Sequence, residues 1–211
     1  MHAKKLLSLL FVFLACSAFS QENYLFEKFV VGNIYKKNTI TPATLNYNLF
    51  TSNMVVKDGS KLKTLEKINE IDYIAVGNEK FMPLDDYSFG KVIIDGGLTL
   101  LLKYSGNVVK TDNSVKNISK TALNKLLNSE NPIPVGITIE KDSVFYFCKE
   151  RKSNKFYFPG TNIEKATHAG IIKLFTKNKA EIEEYIKENN IDFSSVRSLI
   201  KLTNFCEDFT D

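Results

Sequence analysis

A histidine base paired with a serine or cysteine nucleophile is a common way for side chains to attack an acyl group, and this chain holds few of the pieces. Of its two histidines, His2 lies at the very start and His168 sits in Ala-Thr-His-Ala-Gly. That context reads as the start of a helix, where a histidine is an ordinary, partly exposed polar residue. No Gly-x-Ser-x-Gly elbow occurs. Paired acid–base work, as in glycoside hydrolysis, needs two carboxylates facing one point; the adjacent Asp85-Asp86 before Tyr87 reads instead as a solvated turn. A metal site needs clustered His, Cys or carboxylates, and beyond the first twenty residues the soft ligands are His168, Cys148 and Cys206, far apart in sequence. The glycine motifs that cradle phosphates are absent, and Gly96-Gly97 lies between two apolar runs. The residue types therefore assign no catalytic, metal or cofactor-binding residue and call for no cofactor.

Two features carry other chemistry. Cys148 and Cys206 are candidates for a disulfide if the chain reaches an oxidising compartment. Closing their 58-residue separation would stabilise the fold by about 4 kcal/mol in the chain-entropy picture. Both also lie in apolar contexts that suit a buried thiol. The second feature is a basic tip, with Lys149, Arg151, Lys152 and Lys155 between Tyr146 and Tyr157. Tyr146, Arg151, Lys152 and Tyr157 are binding-surface candidates for an acidic glycan or lipid head group, against the plainer reading of a solvated hairpin end. The tyrosine and asparagine face of residues 44–48 offers sugar stacking, or is an ordinary half-exposed strand.

The elements that must position these residues begin with an antiparallel meander. Leu45, Tyr47 and Leu49 alternate with Asn46 and Asn48, the period-two pattern of a strand with one buried face. Met54–Lys57 and Leu62–Leu65 flank Asp58-Gly59, Ile71–Val76 and Lys80–Leu84 flank Gly77-Asn78, and Lys91–Asp95 and Leu98–Tyr104 flank Gly96-Gly97. Such dipeptides tolerate the positive φ of tight hairpin turns. The nearly continuous apolar runs of the last pair predict a central hairpin covered on both faces. Upstream, Phe29–Tyr35 reads as a first strand kinked at Gly32-Asn33; downstream, Ser105-Gly106-Asn107 reads as a turn before a short strand at Val108–Lys110.

The second half changes period. Ser119 caps a predicted helix carrying Ala122, Leu123, Leu126 and Leu127, stopped by Pro132 and Pro134. Ser143–Lys149 and Lys155–Pro159 read as an aromatic hairpin with Phe145 and Phe147 on one face and Tyr146 on the other. Helices are predicted from Asn162 (Ile163, Ala166, Ile171, Leu174, Phe175), from Asn178 to Asn189, and from Ser194 with Val196, Leu199, Ile200 and Phe205 inward. The expected fold is α+β: residues 21–110 an antiparallel β-meander, and residues 111–211 an aromatic β-hairpin plus helices, as a separate part or one compact unit with the meander.

Residues 1–20 read as a secretory signal peptide: Lys4 and Lys5, an apolar run from Leu6 to Ala15, then small residues before Gln21. Ala18 and Ser20 suit signal peptidase, and Cys16 leaves a lipoprotein anchor as the alternative. Loss of Lys4 and Lys5, with no acid removed, lowers the net charge from +4 to +2. A near-neutral surface argues against nucleic-acid binding, and no later apolar run is long enough to span a bilayer.

Two pieces of the chain, Leu45-Asn46-Tyr47-Asn48-Leu49-Phe50 with Met54 and Ile71–Val76, and the closing Ile182–Cys206, resemble exported proteins of unassigned activity from bacteria of the Bacteroidetes type. The resemblance implies export and carries over no catalytic residue. The expectation is a periplasmic or secreted, non-catalytic accessory or binding protein of the cell envelope, its partner an envelope protein or a glycan. The alternatives are a hydrolase whose carboxylates converge only in space, and a lipid-anchored structural component.

Overall fold

The computed structural model describes residues 24–37, 39–110, 137–149 and 162–210. The signal segment, Cys16, the predicted helix at 119–127, the hairpin return at 155–159, Arg151, Lys152 and Tyr157 lie outside them. Among the described residues ten strands form one antiparallel sheet: β1 (Val30–Lys36), β2 (Thr39–Asn48), β3 (Asn53–Asp58), β4 (Lys61–Thr64), β5 (Tyr73–Val76), β6 (Glu79–Pro83), β7 (Phe89–Ile94), β8 (Leu98–Lys110), β9 (Ile137–Lys149) and β10 (Ile163–Lys165). The fold is α+β with an N-terminal meander, the sheet curling into a half-barrel. Its order is β10-β9-β8-β7-β6-β5-β1-β2-β3-β4. Two consecutive runs of strands are thus joined edge to edge by β1 and β5.

At that seam Gly32 pairs with Val76, and a Cβ on Gly32 would fall on the Ala75 carbonyl oxygen. Glycine is needed there for close approach, and β1 runs through Gly32-Asn33 without the expected kink. Gly59 and Gly77 do take positive φ, 59° and 58°, in the hairpins β3–β4 and β5–β6. β8 likewise does not turn at residues 105–107. It continues to Lys110 and pairs with β9 at thirteen positions, from Leu98↔Lys149 to Lys110↔Ile137. That long ladder puts the meander and the second half of the chain in one sheet.

The return from β4 at the edge to β5 must pass three strands. It uses residues 65–72, with a 3₁₀ turn at Ile68–Glu70, and lays Leu65, Ile68 and Ile71 onto Leu45, Tyr47, Met54, Ile74 and Phe81. Residues 24–26 add Leu25 and Phe26 to that core. They take over the place beside β2 where β1 ends: Leu25 N donates to Tyr47 O at 2.9 Å, and Tyr24 bridges Asn48. The strand from 45 to 49 is consequently buried on both faces, Asn46 and Asn48 included, and is not the half-exposed strand its alternation predicts. Asn46 donates from Nδ2 to Phe26 O at 2.9 Å and accepts from Phe26 N at 3.1 Å. Asn48 Oδ1 accepts from Phe50 N and Thr51 N, shaping the turn into β3.

On the same face, β8 and β9 carry the helices α1 (His168–Leu174), α2 (Lys179–Glu188) and α3 (Val196–Glu207). Leu98, Leu100 and Phe147 pack against Ile171, Phe175, Ile182, Leu199, Leu202 and Cys206. The helix expected from Asn162 begins instead at His168, capped by Thr167 Oγ1 accepting from Gly170 N at 3.1 Å. Ile163–Lys165 pair with β9 as a strand, and Gly170 sits so tightly against the Lys165 carbonyl that a side chain is excluded. α3 starts two residues later than predicted, because Ser194 is held by Asp192 Oδ1 and Ser195 is the cap. Val196, expected inward, is 42 % exposed. The expected cover on both faces does hold for β8: Leu98 and Leu100 face the helices, and Leu101 faces a separate outer cluster with Met82, Leu84 and Cys148.

Candidate functional site

The residues singled out by type are scattered over the fold. His168 is exposed at the first turn of α1, its ring edge-on to Phe193 at 6.4 Å. Cys148 and Cys206 are not joined: each is a buried thiol, Cys148 in the outer cluster and Cys206 under the helices. Neighbouring strand residues point to opposite faces, so Cys148 turns away from the helices that Phe147 meets. Burial pushes the Cys206 thiol up to about 12, which leaves it protonated and unreactive. Lys149, expected at a basic tip, lies under the end of α3. Its amine is 3.9 Å from the centre of the Phe175 ring and 3.4 Å from Phe209 O, and burial lowers its pKa.

The other two, Asp85 and Tyr146, lie near enough for the Asp85 charge to act on the Tyr146 hydroxyl, although the sequence alone gave no reason to pair them. Asp85 Oδ1 accepts from Tyr87 N at 2.8 Å and Oδ2 from Ser88 Oγ at 2.7 Å, while Lys103 Nζ donates to Ser88 Oγ at 3.1 Å. Lys103 is 3.9 Å from Asp85 Oδ2. Burial first, and the Asp85 charge second, raise the Tyr146 hydroxyl's pKa. A serine beside a lysine is one form of activated nucleophile. Here Ser88 is 2 % exposed, its hydroxyl proton is given to Asp85, and its oxygen receives a proton of the lysine. The cluster ties the β6–β7 turn to β8; Asp85 and Asp86 are both exposed in that turn, and the Asp85 carboxylate is engaged by Tyr87, Ser88 and Lys103.

These groups border the outer face of the sheet, opposite the helices of the described residues. Its centre is the cluster of Met82, Leu84, Leu101 and Cys148, with Tyr73, Val92, Tyr146 and Ile163 around it. Beyond Tyr73 the face continues across β5, β1 and β2, where Tyr35 stands opposite both Tyr73 and Ile40. The rings of Tyr35 and Tyr73 stack at 4.1 Å with 16° between planes. Lys80, on the strand at the other side of β5, holds its amine 4.7 Å from the Tyr73 ring and 2.6 Å from Asp95 Oδ2. Desolvation, then the neighbouring Tyr35, raise the pKa of the Tyr73 hydroxyl. Val31 and Ile40, on the same face of β1 and β2, are 73 % and 62 % exposed, and Pro42 is exposed between them.

Of these outer-face residues Tyr146 stands out in the sequence, whereas Tyr35, Tyr73, Val31 and Ile40 do not. Their signal was present, since Val31, Asn33 and Tyr35 alternate with Val30 and Ile34, but both sides of that strand carry apolar residues. The sheet's two ends are guarded in contrast to this face. β4 puts exposed Lys61 and Lys63 on one edge, and β10 is three residues long on the other, both features that discourage edge-to-edge pairing. Among the described residues no group of three His, Cys, Asp or Glu is placed to hold a metal ion, and no helix is long and apolar enough to cross a membrane. No protein-family model, no curated protein and no solved structure matches the chain.

Proposed function

We propose that the protein is an exported, non-catalytic accessory or binding protein of the cell envelope, and that it meets its partner through the outer face of β1, β2 and β5. One observation carries the reading: Ile40 stands largely exposed beside the Tyr35–Tyr73 stack, and exposed Pro42 and Val31 follow on the same face of β2 and β1; exposed apolar surface of this kind marks interaction sites. The chemistry favours a protein over a glycan. Sugars stack on open aromatic faces, whereas the Tyr73 ring is flanked by Tyr35 on one side and Lys80 on the other. On β1 and β2 the exposed apolar side chains are Val31 and Ile40, which suit an apolar patch on another protein. Export rests on the N-terminal reading and on the resemblance to exported Bacteroidetes-type proteins.

Two measurements test this. A photo-crosslinking residue placed at Val31 or Ile40 in the producing cells is expected to give an adduct of one defined mass, absent when the same residue replaces exposed Glu184 on α2. Equal adducts at all three positions, or none, would overturn the docking face. The intact mass of the protein taken from the envelope reports its start: a chain beginning near Gln21 supports soluble export, and a diacyl or triacyl mass on Cys16 replaces it with a membrane-tethered component.

A further inference from the structure

We draw no further inference here: the strongest candidate, the Asp85–Ser88–Lys103 side-chain cluster beneath the β6–β7 turn with Tyr146 near it, belongs to the outer face already described, and the Ser88 hydroxyl is buried with both of its hydrogen-bonding directions taken.

Discussion

The two faces of the sheet are built from the same residue types and end in opposite states. On the helix-bearing face, among the described residues, eleven buried residues are shared between the strands and the crossover segment and ten more between β8, β9 and the helical part of the chain. On the outer face the apolar cluster holds four buried residues, Met82, Leu84, Leu101 and Cys148, and towards β1 and β2 Val31 and Ile40 stand in the open. Even the polar groups differ. Tyr47 is fully buried on the helix-bearing side and donates to Phe89 O at 2.9 Å and Tyr104 O at 3.3 Å, whereas Lys80 and Asp95 on the outer side pair at the surface. A sheet that uses one face to fold keeps the other available for contact.

The sharpest test of that division is a pair of truncations. Phe147→Ala removes a fully buried ring that β9 sets against the helices and is expected to cost about 3–5 kcal/mol. Ile40→Ala, on the open face, is expected to change stability by less than about 0.5 kcal/mol. Denaturant midpoints with unchanged slopes measure both, and Phe147→Leu serves if the alanine variant does not fold. Comparable losses at the two sites would erase the distinction between the faces.

Alkaline pH probes the closed face from another direction. The Cys206 thiol is raised from 9.0 to about 12 by burial, so the folded chain keeps its proton while the unfolded chain releases it. A group whose folded pKa lies above its unfolded one contributes stability in full below the unfolded value and loses it as pH rises. The contribution should therefore be whole below pH 9 and fall by about 1.4 kcal/mol per pH unit from pH 9 towards 12. Cys206→Ala removes this component, so the stability difference between the native chain and the variant should shrink steadily across that window. A constant difference would mean that solvent reaches the thiol.

A third test concerns the latch between the β7–β8 turn and the end of α3. The Glu207 carboxylate, at the end of α3, accepts from Gly97 N at 2.7 Å and Leu98 N at 2.9 Å. Side chains at Gly96 or Gly97 would run into Glu207 and Thr210. Glu207→Gln keeps the shape, but replaces one accepting oxygen with a donor facing another donor. A loss of about 1–3 kcal/mol is expected, with faster amide exchange in α3 than in β2. Exchange that rises equally in both would mean that Glu207 supports the whole fold rather than the seat of one helix.

The same latch shows what could be read from sequence. Gly59 and Gly77 serve the local geometry of a two-residue turn, which neighbouring residues announce. Gly96 and Gly97 serve a carboxylate 110 and 109 residues from the amides it holds, and nothing nearby announces that. The α+β class, the meander and the face assignment of Phe145, Tyr146 and Phe147 followed from periodicity. The burial of Asn46 depended on Phe26, twenty residues away, and the β1–β5 seam on a close approach that only pairing creates. For the candidate site the contrast is the same: Asp85 and Tyr146 were each visible, but their proximity is long-range. The exposure of Val31 rather than Val30 was settled by which face the crossover covers.

The smallest expected effect on stability is the one that bears most on function. Val31→Ser and Ile40→Ser each replace an aliphatic side chain that is already mostly in water, so the folded state gives up little buried area and the unfolding midpoint should stay within about 0.5 kcal/mol of the native chain. The partner, if it covers this strip, loses two apolar contacts and finds hydroxyls that keep their water. Recovery of the crosslinked species, read through a photo-reactive residue at Pro42 between them, should then drop severalfold in the double variant, while Glu184→Ser on α2 leaves it unchanged. Undiminished crosslinking in a stable double variant would assign the exposed strip no part in binding. A fall in stability of 2 kcal/mol or more would place Val31 and Ile40 in a covered core and remove the difference between the two faces.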